Sequence, residues 1–374
     1  MPPMTCLEGP DRIERAEFLA RGLRQGSPRS LGVSDAERVK AALTGRDGTT
    51  AQTYVEYLHS LYFFMLRGCV EWAGRWPAFL EKRLGAEAAE LATASAFSRW
   101  RESASALREA ANDEALPLLQ RFLAPGKGSG AANDAGAINL EDQFTALVAT
   151  PVTSFQGLLA CLAARQFEEA ARLLGKYVGQ VRLRHDLLIC YLWTYAGAVN
   201  RTFGQALAEE GLRLSFQDCS FNGPMWELFG RLAPTDLAAV LAEHLRTHFC
   251  GSERDGSVEI LEEQDCFRLV CNPCGSGGAL RRNKGKRQAT DILQNASPST
   301  WGRAGEVPVY CAHCAQNELA AFQRFGHPLW VTEFHPDAER PCGWTIYKQP
   351  WLIPARYFER LGAQAHAKAP SARP

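Results

Sequence analysis

Two cysteine pairs constrain this chain more than anything else in it. Cys271-Asn272-Pro273-Cys274 is answered further along by Cys311-Ala312-His313-Cys314. A CxxC turn offers two sulfurs to one edge of a metal ion, and a second such turn closes a tetrahedron. Four thiolates at this spacing select Zn2+. An iron–sulfur cluster can use the same four residues, but no other motif in the chain points to electron transfer. Four unliganded thiols, or two disulfides, are the readings without a metal. Gly275 follows the second ligand directly, where a glycine allows a turn with φ > 0 and aims backbone N–H groups at sulfur. Pro273 stiffens the turn. His313, inside the second pair, competes for a place on the metal, and Cys342 is a possible alternative ligand. Four thiolates make a closed, structural site. Exchange of one of them opens a position for water or substrate.

The surroundings of this site restrict its setting. A chain of 374 residues predicts two or three domains. Lys plus Arg and Asp plus Glu are both 41, so no global field draws the chain to nucleic acid or to an anionic membrane. The first residues lack a basic, then apolar leader, and no apolar run reaches spanning length. Most of the twelve cysteines are dispersed, and Cys69, Cys161 and Cys190 fall in apolar helical patterns as small core residues. These features together predict a cytoplasmic protein in a reducing compartment, with no membrane association.

Periodicity predicts a mainly α chain, with a helical N-terminal region of one or two bundles followed by a small α+β zinc-ribbon-like module. A polar segment spans 1–35, a helical domain 36–124, a Gly/Ala/Asn-rich linker 125–137 and a second helical domain 138–250. The α+β zinc-binding module covers 251–362, and 363–374 is a disordered tail. Ser34 and Glu37 form a capping box ahead of the first helix. A buried aromatic-rich helix follows, with a break expected near Gly74 and an end at Gly85. Phe155–Leu162 and Phe167–Val178 read as a helical hairpin, and His185–Phe203 as a separate apolar helix ended by Gly204. The stretches around Gly85 and Gly204 share a pattern, an aromatic helix stopped by glycine and then an Ala/Glu-rich helix, which is compatible with a duplicated unit. A β-hairpin over 257–271 should deliver the first cysteine pair.

Candidate groups outside the cysteines are fewer. His185 and Asp186, expected at the start of their helix, are candidate catalytic acid–base groups together with His313. The helix dipole alone would also account for an aspartate there. His244 and His248 share a helix face at metal-ligand spacing and read equally as a surface pair. Glu56 and His59 have the spacing of a di-metal helix motif, without a second copy. Arg281, Arg282, Lys284, Lys286 and Arg287 form a basic run that could grip phosphate or nucleic acid, or remain a solvated loop.

The familiar enzyme signatures are missing, and the residues do not decide whether the chain is an enzyme. Two functions remain open. One is an enzyme acting on a small-molecule ligand in a pocket between the helical region and a structural zinc module. The other is a regulatory or adaptor protein whose zinc module binds nucleic acid or a protein partner through the basic run 281–287.

Overall fold

The structure is a computed structural model that describes residues 26–109, 148, 152–217, 222–282 and 291–363. It is mainly helical, with a small antiparallel sheet toward the C-terminus. The zinc-ribbon-like character expected of the C-terminal part does not follow from this architecture. The linker 125–137, most of the tail 363–374, and Lys284, Lys286 and Arg287 lie outside the described residues.

The helices fall into two copies of one unit. The first copy is α2 (Asp35–Thr44), α3 (Gly48–Leu84) and α4 (Ala86–Glu109), preceded by a short α1 (Pro28–Gly32). The second is α5 (Thr153–Ala163), α6 (Phe167–Phe203) and α7 (Gln205–Gln217). Both central helices, α3 and α6, are 37 residues long. Each is entered through an arginine with positive φ, Arg46 (55°) and Arg165 (57°). Each ends at a glycine, Gly85 (φ 97°, ψ 167°) and Gly204 (φ 92°, ψ 166°), in a conformation that a Cβ makes costly. Nothing lies within 4 Å of where a Cβ would be at either glycine, so backbone angle alone explains the residue. The hydrogen bonds around the turns match as well. Asp47 N–H donates to the Ala42 carbonyl as Gln166 N–H donates to Cys161, and Ala89 to Gly85 as Ala208 to Gly204. Each matched pair is separated by the same number of residues.

The copies pack reciprocally: α4 lies on α6 and α7 on α3. Trp100 Nε1 of α4 donates to the Leu187 carbonyl of α6 (2.8 Å), and Trp72 Nε1 of α3 donates to Ser215 Oγ of α7 (2.9 Å). Trp76, Trp100, Tyr177, Tyr191, Trp193 and Tyr195 fill the space between them.

Two expectations about helix boundaries fail. No break occurs at Gly74. α3 runs through it and through Pro77, because Trp72 and Trp76 are buried on either side and tertiary packing outweighs local propensity. The hairpin arm and the helix placed at His185 are one continuous α6. His185 and Asp186 are therefore mid-helix, and no helix-dipole argument applies to them.

After α8 (Asn222–Phe229) comes α9 (Pro234–Thr247), and then the sheet. β1 (Glu259–Glu262) and β2 (Cys266–Cys271) form the expected hairpin. β5 (Val331–Glu333) and β6 (Cys342–Tyr347) complete the order β1-β2-β6-β5, with Cys271 opposite Cys342. Between them lie α10 (Gly277–Arg282), the short pair β3 (Ile292–Leu293) and β4 (Val307–Pro308), and α11 (Ala312–Phe325); α12 (Ala355–Glu359) follows β6. Leu237, Val240 and Leu241 of α9 share a core with Phe267 and Leu269 of β2 and with Trp344 of β6. A second core runs from α3 and α6 into Leu293, Val307, Val309 and Tyr310.

The outer edge of β1 meets the end of α1. Val258 N–H donates to the Gly32 carbonyl (3.0 Å), and a Cβ at Gly32 would come within 2.0 Å of the Val258 carbonyl oxygen. Arg246, buried on α9, clamps this junction by donating to the carbonyls of Leu31 (2.7 Å), Val33 (2.9 Å) and Gly256 (3.2 Å).

Candidate functional site

The end of β2, the loop into α10, the start of α11, the start of β6 and the end of α9 surround one cavity. It is lined by Cys250, Cys271, Cys274, Cys311, Cys314 and Cys342, and by His244, His248 and His313. About 50 Å³ of it is open to the centres of water molecules, enough for a few waters or for a metal ion with a small ligand. The remaining wall is largely aromatic, from Trp301, Tyr310, Phe334 and Trp344.

Each cysteine arrives by a local device. β2 ends on Cys271, and the chain turns through a cis Asn272–Pro273 bond to Cys274. Gly275 is required for a reason different from the expected one. Its φ is not in the positive region, but a Cβ there would lie 1.5 Å from the His248 carbonyl oxygen. Its N–H does point at sulfur, donating to Cys250 Sγ (3.4 Å) rather than to a sulfur of its own pair. Gly277 leaves room for the second pair, since a Cβ would stand 2.7 Å from Cys311 Sγ. Cys311 caps α11, which places Cys314 one turn in.

Cys250 and Cys271 are hydrogen-bonded to each other, and burial favours the protonated form of the other thiols. Hydrogen bonding to Cys250 and burial push the Cys271 thiol well above its ordinary range, so its S–H donates to Cys250. That donation, with the one from Gly275 N–H, brings Cys250 below its ordinary value. Burial pushes Cys274 up to about 12, and it raises Cys311, Cys314 and Cys342 too. His313 Nδ1–H donates to the Tyr310 carbonyl (2.6 Å), which leaves Nε2 to accept from Cys314 Sγ (3.4 Å). Burial lowers His244 and His313 to about 4 each, so both are neutral near pH 7. Among the described residues, no three His, Cys, Asp or Glu side chains are arranged as a metal-holding group.

Behind the cavity lies a polar chain. His185 is fully buried on α6, and its Nδ1 is 3.0 Å from Asp186 Oδ1. Its Nε2 is 2.9 Å from His248 Nδ1, and Ser276 Oγ is 2.8 Å from that same nitrogen. Arg254 donates to both Asp186 oxygens, at 2.7 Å each, and to the Gly275 carbonyl at 2.7 Å. Burial opposes the Asp186 charge, but this guanidinium outweighs it and holds the carboxyl well below the usual range. Burial lowers His185 and His248, so both are neutral.

Of the residues singled out from sequence, the four paired cysteines, Cys342, His313 and Arg281 line the cavity directly. His185 and Asp186 reach it only through His248. His244 and His248 are cavity-lining rather than a surface pair; His244 stacks on Trp344 at 5.9 Å between ring centroids. Cys250 carried no sequence signal, because it stands alone after α9 and only the fold brings it to Cys271. The described basic residues have local work. Arg281 donates to the carbonyls of His335 (3.0 Å) and Pro336, and Arg282 to those of Ala338 (2.6 Å) and Glu339 (3.1 Å). Glu56 and His59 lie away from the cavity, where His59 stacks on Phe155 at 3.8 Å.

Among the described residues, no helix is long and apolar enough to cross a membrane. No family model, no curated protein and no solved structure matches the chain.

Proposed function

We propose that this protein binds Zn2+ in the cysteine-lined cavity, with Cys271, Cys274, Cys311 and Cys314 as its principal ligands. The observation that carries the reading is the convergence on one cavity of six thiols from β2, α11, β6 and the loops after α9 and β2. Buried thiols need no such company, and a thiophilic metal gives it a reason. As placed, Cys271 hydrogen-bonds to Cys250 and Cys314 to His313. Binding of a metal would displace those protons.

The reading extends to small-molecule chemistry in the same cavity, which adjoins both the helical units and the sheet. The buried Asp186–His185–His248 chain favours it, since a zinc held by four thiolates does not call for such an arrangement. The adaptor reading has less support, because Arg281 and Arg282 are committed to backbone carbonyls of their own chain.

Metal analysis of protein purified under reducing conditions tests the zinc site. About one equivalent of zinc is expected for one tetrahedral centre, lost from the double variant Cys271→Ser/Cys311→Ser. Less than about half an equivalent in the unaltered protein defeats the reading.

A further inference from the structure

The geometry points to His248 as an imidazole ligand of the cavity metal in place of one of the four thiolates, which makes the tetrahedral centre a mixed thiolate–imidazole site held in register by Asp186 and His185. This rests on the reading of the cavity as a zinc site.

The hydrogen bonds assign the protons. Asp186, ionised against Arg254, can only accept, so His185 donates from Nδ1. His185 is fully buried and the Asp186 charge is already matched by Arg254, so His185 carries no second proton; its Nε2 keeps an electron pair, and His248 must donate to it from Nδ1. Ser276 Oγ, beside the same nitrogen, is a second acceptor. The opposite assignment would set a bare His185 nitrogen against a carboxylate. His248 is therefore fixed as the tautomer with its electron pair on Nε2, and that atom has no hydrogen-bond partner among the described residues. His248 lines the cavity. A carboxylate acting through an N–H to orient a metal-binding imidazole is the usual second layer of a metal site. Here one additional histidine extends it.

Two further observations place His248 with the thiols. Its carbonyl abuts Gly275, the residue after Cys274, and Cys250 follows it by two positions. The duplicated unit also supplies an internal comparison. With Gly85 matched to Gly204, the positions corresponding to His185 and Asp186 are Leu66 and Arg67. Leu66 is an ordinary buried apolar residue. The unit therefore folds without a His–Asp pair, and the pair is present in the copy whose central helix meets His248.

The test uses the full chain, stripped of metal under reducing conditions and titrated with Co2+, whose visible spectrum reports its ligands. The expected result for the unaltered protein is thiolate-to-cobalt charge transfer with ligand-field bands of a mixed sulfur–nitrogen site. His248→Ala should shift those bands and weaken binding. Asp186→Asn, which leaves every thiolate in place but removes the carboxylate that orients His185 and pairs Arg254, should weaken binding about 10- to 100-fold while leaving the charge-transfer intensity unchanged. Should His248→Ala fail to fold, His248→Cys serves in its place, and its spectrum should move to that of an all-thiolate centre. Superimposable spectra and affinities for the unaltered protein and the His248 variant overturn the assignment of His248 and leave the zinc site standing. Absence of thiolate–cobalt charge transfer in the unaltered protein overturns both.

Discussion

Gly275 and His59 show at single-residue scale how burial sets sensitivity. A methyl group at Gly275 would overlap the His248 carbonyl, a backbone atom that cannot swing aside as a side chain can. Gly275→Ala should therefore cost about 1–3 kcal/mol, the usual range for overpacking, and should loosen metal binding at the same time. Urea midpoints and a zinc competition assay on the same protein would show both effects. His59 tests pH. Burial and the nearby Arg184 charge push it down from 6.5 to about 4, where it stacks on Phe155 with Nδ1 3.0 Å from the Tyr177 hydroxyl. The unfolded chain takes up a proton near 6.5 that the folded chain refuses until about 4. The stability tied to this group is thus complete above pH 6.5 and is lost as the pH falls toward 4. His59→Gln should flatten that part of the stability profile, measured by urea unfolding at pH 7 and pH 5. An unchanged pH dependence would show that His59 does not titrate this way.

At the scale of elements, the glycines that end α3 and α6 make the clearest prediction. Gly85→Ala and Gly204→Ala meet no steric obstacle, so each should cost only the backbone strain, about 1–3 kcal/mol, and by similar amounts in the two copies. A large inequality in thermal unfolding would mean that the copies are not equivalent at their turns. These stops were legible in the sequence, as were the capping box at Ser34 and the hairpin that ends on Cys271. The length of α6 was not. Arg182, Arg184, His185 and Asp186 interrupt an apolar pattern, and a run of charged and polar groups reads as a boundary until their partners are known. Those partners, Arg254 and His248, are distant in sequence and become visible only once α9 and the loop after it fold back. The same limit hid Cys250. The paired cysteines were legible because their spacing is itself the signal, whereas a lone cysteine becomes significant through its neighbours.

For the whole molecule, the two cores connect the cavity to nearly everything else. Tyr310 stacks on Trp193 of α6 at 5.8 Å, and Trp344 of β6 packs with α9. Unfolding followed by tryptophan fluorescence and by far-ultraviolet circular dichroism should therefore give coincident transitions. Metal removal should shift both transitions together. Separate transitions would mean that the sheet and its cysteines fold independently of the duplicated helices. The contact between Gly32 and Val258 adds a consequence of another kind. A strand at the margin of a sheet offers unpaired amide and carbonyl groups to any passing chain, and folded proteins suppress this association by covering them. Here the cover comes from residues far away in sequence, locked down by a buried guanidinium that donates to their carbonyls and pairs with Glu243. Loss of that cover would leave β1 able to recruit a strand from a second molecule, so self-association and fibre formation become the hazard to expect wherever α1 comes loose.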